Sequence, residues 1–382
     1  MAESDAGSPG ESRGPTLAPD PDFRAVVARL IGADAETLAF EPLAGGVSSD
    51  IWRVAHGDAL FCAKRALPRL RVAALWEAPV SRNAEEVRWL RTARAFIGPE
   101  VAEVIAHDAA AGVALLAWYP PETWQNWKQR LLAGTVDAGI GAALGTALGR
   151  IVARGASTAG LAADFDNGVL FDALRIDPFF RYLQDHFDGM SALVHDLETS
   201  RNALVHGDFS PKNVLVDDEG QIRILDAETA TWGPAAFDPG YLIAHLLLKF
   251  ERAADLRLLE TACRFWSAYC AALQPAAATT SANVDPRRTS PSPRPTDRDV
   301  IRVIAGMLLA RIDGKSPVDY LDDAVRNDLR ARAAALLAQS TGWPNGHDDA
   351  HASVADLLLG WPALPVAKPA ENTLTHANPK SS

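Results

Sequence analysis

The dipeptide Pro120-Pro121 separates two patterns of apolar spacing that belong to different architectures. Ahead of it, helical spacing of Phe23, Val26, Val27, Leu30 and Ile31 is followed by strand-like segments at Thr37–Pro42, Asp50–Ala55 and Leu60–Leu67. A charged helix from about Arg82 to Ala95 and two further strands, Val101–His107 and Val113–Trp118, complete a five-stranded α+β set. Beyond the prolines the chain turns to long Ala- and Leu-rich helices, including Asp297–Arg311 and Asp319–Gln339. Leu204–Ile224 interrupts them as short strands broken by loops. The expected fold class is therefore α+β in two lobes. A small sheet lobe spans 21–118 and a mainly helical lobe spans 119–362. Residues 1–20, 272–298 and 363–382 are rich in Gly, Pro, Ser or other polar residues and are expected to be disordered, the middle one as an insert between helices.

A chain of 382 residues with 48% hydrophobic and 22% charged residues can fill two cores. Its formal net charge of −11 argues against nucleic acid or an anionic membrane as partner. Cys62, Cys263 and Cys270 have no metal-ligand spacing, so the chain reads as cytoplasmic and without a disulfide framework. The N-terminal stretch lacks the apolar core of a signal peptide. No apolar run is long enough to span a bilayer.

The segment richest in chemistry is Leu204-Val-His206-Gly207-Asp208-Phe-Ser-Pro-Lys-Asn213-Val-Leu-Val216. Asn213 follows Asp208 by five positions, and thirteen residues later an apolar strand ends in Asp226-Ala-Glu228. The turn Asp217-Asp218-Glu219-Gly220 suits a hairpin that returns the second acid pair to the first. Phosphoryl transfer needs a carboxylate beside the attacking hydroxyl and oxygen ligands for Mg²⁺ against the phosphates of ATP. Asp208 suits the first role. Asn213, Asp226 and Glu228 suit the second. A second His-Gly-Asp, at residues 56–58, has Ala63 where Asn would be required and reads as a tight turn.

His-Gly-Asp-x-x-x-x-Asn followed by an apolar strand ending in Asp resembles the aminoglycoside phosphotransferase superfamily, which shares the protein-kinase-like two-lobed fold. Asp226-Ala-Glu228, then Trp232-Gly233-Pro234 and Phe237-Asp238, is most similar to 5-methylthioribose kinase, as is the run Lys64–Val72. The resemblance implies an ATP- and Mg²⁺-dependent small-molecule kinase whose acceptor is a small molecule bearing a hydroxyl. A methylthioribose-like sugar is the favoured acceptor, with an aminoglycoside or a choline- or homoserine-type amino alcohol as alternatives. It implies that Gly45, Gly46 and Ser48 cover phosphates and that Lys64 contacts them, held by Glu86. The backbone from Ala117 to Tyr119 would lie against adenine, and Asp238 would support the catalytic loop. That family carries paired arginines late in the chain. Here Ala310-Arg311 leaves Arg311 alone as a candidate acceptor contact.

Overall fold

The computed structural model describes residues 18–43, 49–69, 79–274, 293–341 and 353–363. The expected phosphate-covering residues Gly45, Gly46 and Ser48 lie outside this set, as do most of the segments expected to be disordered. The chain divides into two compact units, Met1–Val80 with Val104–Trp118 and Ser81–Glu103 with Tyr119–Ser382.

The first unit holds helix α1 (Pro21–Ile31) and strands β1 (Ala39–Pro42), β2 (Ser49–His56), β3 (Ala59–Ala66), β4 (Val104–Asp108) and β5 (Val113–Ala117). Asp20 caps α1 by accepting the Phe23 N–H at 2.9 Å, Pro21 supplies a preset φ, and Gly32 closes the helix in the left-handed region at φ 76°. The strands form one antiparallel sheet in the order β1-β2-β3-β5-β4. Trp52 and Val54 alternate inward from β2 and meet Phe23, Val27 and Leu115 in the core. His56-Gly57-Asp58 is the β2–β3 turn, with Gly57 at φ 58° and Asp58 exposed. Lys64, opposite Ile51 and Ala114 in the ladder, is buried.

The charged helix expected beside these strands, α2 (Arg82–Ile97), instead groups with the second unit, where it packs on α4 (Ala138–Ser157). Two fully buried side chains of α2 tie it there. Arg82 pairs with Glu228, and Trp89 lies edge-on to the His206 ring with centroids 4.7 Å apart.

The rest of the second unit is mainly helical. The strand β6 (Gln125–Asn126) leads into α3 (Trp127–Leu132), and α4 follows. Two one-turn helices, α5 (Leu161–Asp164) and α6 (Gly168–Phe171), run into a π-helical stretch over Asp172–Phe180 that contains Pro178. Then come α7 (Met190–Thr199), β7 (Ala203–Val205), β8 (Val214–Val216), β9 (Ile222–Ile224) and β10 (Thr231–Gly233). The long helices α8 (Phe237–Ala253), α9 (Leu256–Leu273), α10 (Asp297–Asp313) and α11 (Asp323–Thr341) precede the short α12 (Val354–Gly360). β6, β8 and β9 form one small antiparallel sheet, and β7 pairs with β10. Among the described residues, no helix is long and apolar enough to cross a membrane.

The α4–α9 pair is the main helix contact of this unit, and glycines at four-residue spacing make it close. A Cβ at Gly141 would fall 2.3 Å from the Thr261 carbonyl oxygen, and one at Gly145 2.1 Å from that of Phe265. At Gly149 it would fall 2.7 Å from the Ala272 Cβ. No flexible side chain can yield at the first two positions, since the obstacle is backbone. Gly145→Ala should therefore cost at least about 1–3 kcal/mol. Gly360→Ala, where nothing lies within 4 Å of the new Cβ, should be neutral or slightly stabilising. Denaturant midpoints of the two variants test this, and equal midpoints would show that the helices can part freely.

Candidate active site

The candidate catalytic loop hangs from the end of β7. Its backbone is fixed by Asp238, the second residue of α8, whose carboxylate accepts the N–H groups of His206 at 2.6 Å and Gly207 at 3.0 Å. Gly207 sits at φ 81°, and a Cβ there would meet Thr229 Oγ1 at 2.5 Å, so the turn into Asp208 requires glycine. His206 locks the loop to the hairpin. Its Nε2 donates to the Leu225 carbonyl at 2.9 Å while Nδ1 accepts the Asp208 N–H at 3.1 Å. That pattern demands a neutral imidazole, and burial takes its pKa down to about 4.

Asp208 is 2% exposed. One carboxylate oxygen, Oδ2, receives the Lys212 Nζ at 2.8 Å and the Arg175 Nη2 at 3.1 Å. The other, Oδ1, is buried with no hydrogen-bond partner among the described residues. Burial raises the pKa of Asp208, but the Lys212 and Arg175 cations outweigh it and bring the group to about 2. Arg175 comes from the π-helical stretch and also donates through Nε to the Gly207 carbonyl. Irregular helical turns of this kind are frequent at functional sites. Sequence reading missed Arg175. A single arginine 33 positions before the loop has no spacing signal of its own.

The β8–β9 hairpin brings the second acid pair back as its turn chemistry suggests. Asp217 Oδ1 accepts the N–H groups of Glu219 and Gln221, and Gly220 takes φ 81°. Asn213 sits at the hairpin base. Its side-chain amide donates to the Asp208 carbonyl at 2.9 Å, and its own carbonyl accepts the Leu225 N–H at 2.9 Å. Asp226 follows at φ 61°, a left-handed conformation that a non-glycine residue adopts only when its surroundings impose it. Glu228 is buried and faces Arg82, with Nε 3.2 Å from Oε2. Arg82 is a second residue that no motif pointed to.

Carboxylate oxygens of Glu86, Asp226 and Glu228 all lie within 4.8 Å of one another. Glu86, expected as the holder of Lys64, thus stands with two of the three expected metal ligands, Asp226 and Glu228. A cluster built only from carboxylate oxygens, without thiolate or imidazole, suits a hard divalent cation such as Mg²⁺. Asp208, Asn213, Asp226, Glu228 and Glu86 are therefore brought into one region of the second unit. Lys64 on β3 and Ala117 at the end of β5 belong to the first unit. Tyr119 opens the second stretch of the second unit, where its hydroxyl accepts the Glu103 N–H at 3.2 Å and its ring takes the Arg223 guanidinium at 5.6 Å. Arg311 lies on α10, where its Nη1 donates to Ser316 Oγ at 2.9 Å.

The family model described as phosphotransferase enzyme family matches residues 39–278. The methylthioribose kinase of Pectobacterium atrosepticum is 26% identical over 219 residues, covering 49% of this chain and 54% of that protein. The methylthioribose kinase of Yersinia pseudotuberculosis serotype O:3 is 24% identical over 217 residues, covering 49% and 53%. The chain spans about half the length of the curated relatives it matches. Among solved structures, the choline kinase of Cryptosporidium parvum aligns at 12% identity with a TM-score of 0.45, covering 84% of this chain and 92% of that one. With a match that spans more than half of its length, the chain belongs to the phosphotransferase enzyme family.

Proposed function

We propose that this protein is an ATP-dependent small-molecule kinase that transfers the γ-phosphoryl group to a hydroxyl of a small metabolite. The observation that carries the reading is the asymmetry of Asp208. Two cations hold Oδ2, and Oδ1 is left buried and unpartnered among the described residues. A buried carboxylate oxygen without a donor is costly unless something brings one. An acceptor O–H is the donor that fits.

The acceptor hydroxyl donates to Oδ1, which aims its oxygen at the phosphorus. As the new O–P bond forms, the bond from the γ-phosphorus to the bridging oxygen breaks, ADP leaves, and Asp208 takes the proton of the hydroxyl. A carboxylate held near pKa 2 is a weak base. It therefore serves mainly by orientation, which a loose transition state with late proton loss requires more than early deprotonation. Arg175 and Lys212 keep the carboxylate from turning. Asn213, Asp226 and Glu228, with Glu86 beside them, would hold Mg²⁺. Lys64 would contact the phosphates, Gly45, Gly46 and Ser48 would cover them, and the Ala117–Tyr119 backbone would meet adenine. Bound Mg²⁺ supplies charge neutralisation at the β- and γ-phosphates.

The methylthioribose kinase relatives support a sugar-like acceptor. A polycationic aminoglycoside fits less well, because the buried Lys249 and the half-buried Arg311 in the same unit would repel it.

Asp208→Asn should lower kcat by about 10²–10⁴-fold while MgATP affinity stays within a few-fold of the parent. Single-turnover rates and nucleotide titration read the two effects separately, and a fully active variant refutes the assignment. Asp226→Asn should instead weaken Mg²⁺-dependent nucleotide binding at least tenfold. Unchanged MgATP affinity in that variant would remove Asp226 from the metal site. A coupled assay over sugars, amino alcohols and aminoglycosides identifies the acceptor; efficient turnover of kanamycin-type compounds would overturn the sugar-like reading.

A further inference from the structure

Helix α8 carries a stripe of polar side chains inside an otherwise apolar surface. Tyr241, His245 and Lys249 recur every four residues and share one face. The Tyr241 and His245 rings have centroids 5.0 Å apart, and Lys249 Nζ donates to the His245 carbonyl at 3.1 Å. Tyr241 lies within electrostatic reach of Asp208, Arg175 and Lys212. The stripe therefore begins near the candidate catalytic carboxylate and ends at Lys249. From α10, Arg311 reaches the same stretch, close enough to act on Tyr241, His245 and Lys249. Its guanidinium lies 5.9 Å from the Phe179 ring centroid.

Among the described residues, neither cation has a carboxylate partner. Lys249 is 2% exposed, and its Nζ donates to a carbonyl of its own helix. Arg311 bonds through Nη1 to the neutral Ser316 hydroxyl, and its Nε is buried without an acceptor among the described residues. Glu251, on the same helix as Lys249, is already taken by Arg332 at 2.6 Å and the Trp361 indole N–H at 2.7 Å. Burial of a charge without an opposite charge is strongly unfavourable. A lysine can relieve this by losing its proton. Burial, with Lys128 of α3 and Arg311 nearby, brings Lys249 down to about 7. An arginine cannot follow.

We infer that Lys249 and Arg311 bind an anionic group of the acceptor, a carboxylate or a phosphate, while a hydroxyl of the same molecule reaches Asp208. This rests on the kinase reading above and narrows its acceptor to sugar acids and sugar phosphates. The eight residue steps from Tyr241 to Lys249 rise about 12 Å, comparable to an extended sugar phosphate and longer than a two-carbon amino alcohol. The same cations repel an ammonium-bearing acceptor.

The test is calorimetric titration of the full chain with ribose 5-phosphate and gluconate, against ribose and glucose as neutral counterparts. At least one anion should bind tenfold or more tightly than its neutral counterpart. The tighter of the two tells phosphate from carboxylate. Because the anion favours charged Lys249, binding at pH 8 should take up protons, read from two buffers of different ionisation enthalpy. Affinity should be full below about pH 7 and fall up to tenfold per unit above it. Lys249→Met and Arg311→Met should each weaken anion binding at least tenfold, Lys249→Met should abolish the proton uptake, and Arg311→Lys should restore part of the loss. Equal binding of anions and neutral sugars, or unaltered anion binding in both Met variants, overturns the proposal. So does displacement of the anion by MgATP, which would assign it to the nucleotide site. MgATP turnover is scored separately, so loss of the kinase reading with anion binding intact is a distinct result.

Discussion

One buried carboxylate sets the position of the candidate catalytic atoms. Asp238 takes two consecutive backbone N–H groups, those of His206 and Gly207, and so fixes the peptide planes from which the Asp208 side chain departs. Burial alone would keep Asp238 protonated, and it pushes the pKa to about 7 against the pull of the two N–H bonds. Its place in the first turn of α8 adds the positive end of the helix macrodipole on the side of the ionised form. Everything downstream inherits this anchor. His206 spans from the loop to Leu225, Leu225 bonds back to Asn213, and Asp226 follows at once. A change at Asp238 would therefore displace two candidate functions together, the acceptor-orienting carboxylate and the metal-facing acids.

Opposite charges around this loop are arranged in pairs with different purposes. Arg175 and Lys212 satisfy one oxygen of Asp208 and leave the other open, which defines a direction. Arg82, fully buried, pairs with Glu228 within the acidic cluster. Pairs as dry as these contribute little net stability, since desolvation offsets most of the attraction. Their value is geometric. Each holds a carboxylate that would otherwise rotate, and each uses arginine, whose planar fork keeps its direction better than a lysine ammonium.

The course of the candidate catalytic loop was legible in the sequence because its signal is local. His206 to Asp226 lies in 21 residues, the hairpin turn is written in Asp217–Gly220, and strand and loop alternate at short range. The five strands of the first unit were legible for the same reason, with ends displaced by at most three residues. What escaped was non-local. The packing of α2 on α4 depends on Arg82 and Trp89 finding Glu228 and His206 more than a hundred residues away. Arg175 has no neighbour in sequence that shares its task. Gly141, Gly145 and Gly149 stand in plain spacing, but small residues four apart in a helix state only that something approaches, without naming α9. Lys249 carried a readable hint, a lone charge in the run His245-Leu-Leu-Leu-Lys249-Phe250. A charge at a core position demands a reason.

That reason can be weighed. Arg311 stands in the last turn of α10, where the negative end of the macrodipole favours a cation, whereas Lys249 lies just before the last turn of α8. This contribution is about 2 kcal/mol at most, even in partly buried geometry. The desolvation of a buried ion in a real protein remains several kcal/mol. The dipole thus offsets only part of such a cost; Lys249 can relieve the rest by losing its proton, and the half-buried Arg311, which cannot, would be relieved by an anion. The polarity of α8 then acquires a function. Its N-terminal turn holds Asp238 under the candidate catalytic loop, and its C-terminal turns present a cation. A molecule lying along the stripe is oriented by charge, with its anionic end at Lys249 and its hydroxyl end at Asp208. Two fixed ends determine which hydroxyl of a polyhydroxy acceptor meets the carboxylate, so one arrangement supplies both affinity and regioselectivity.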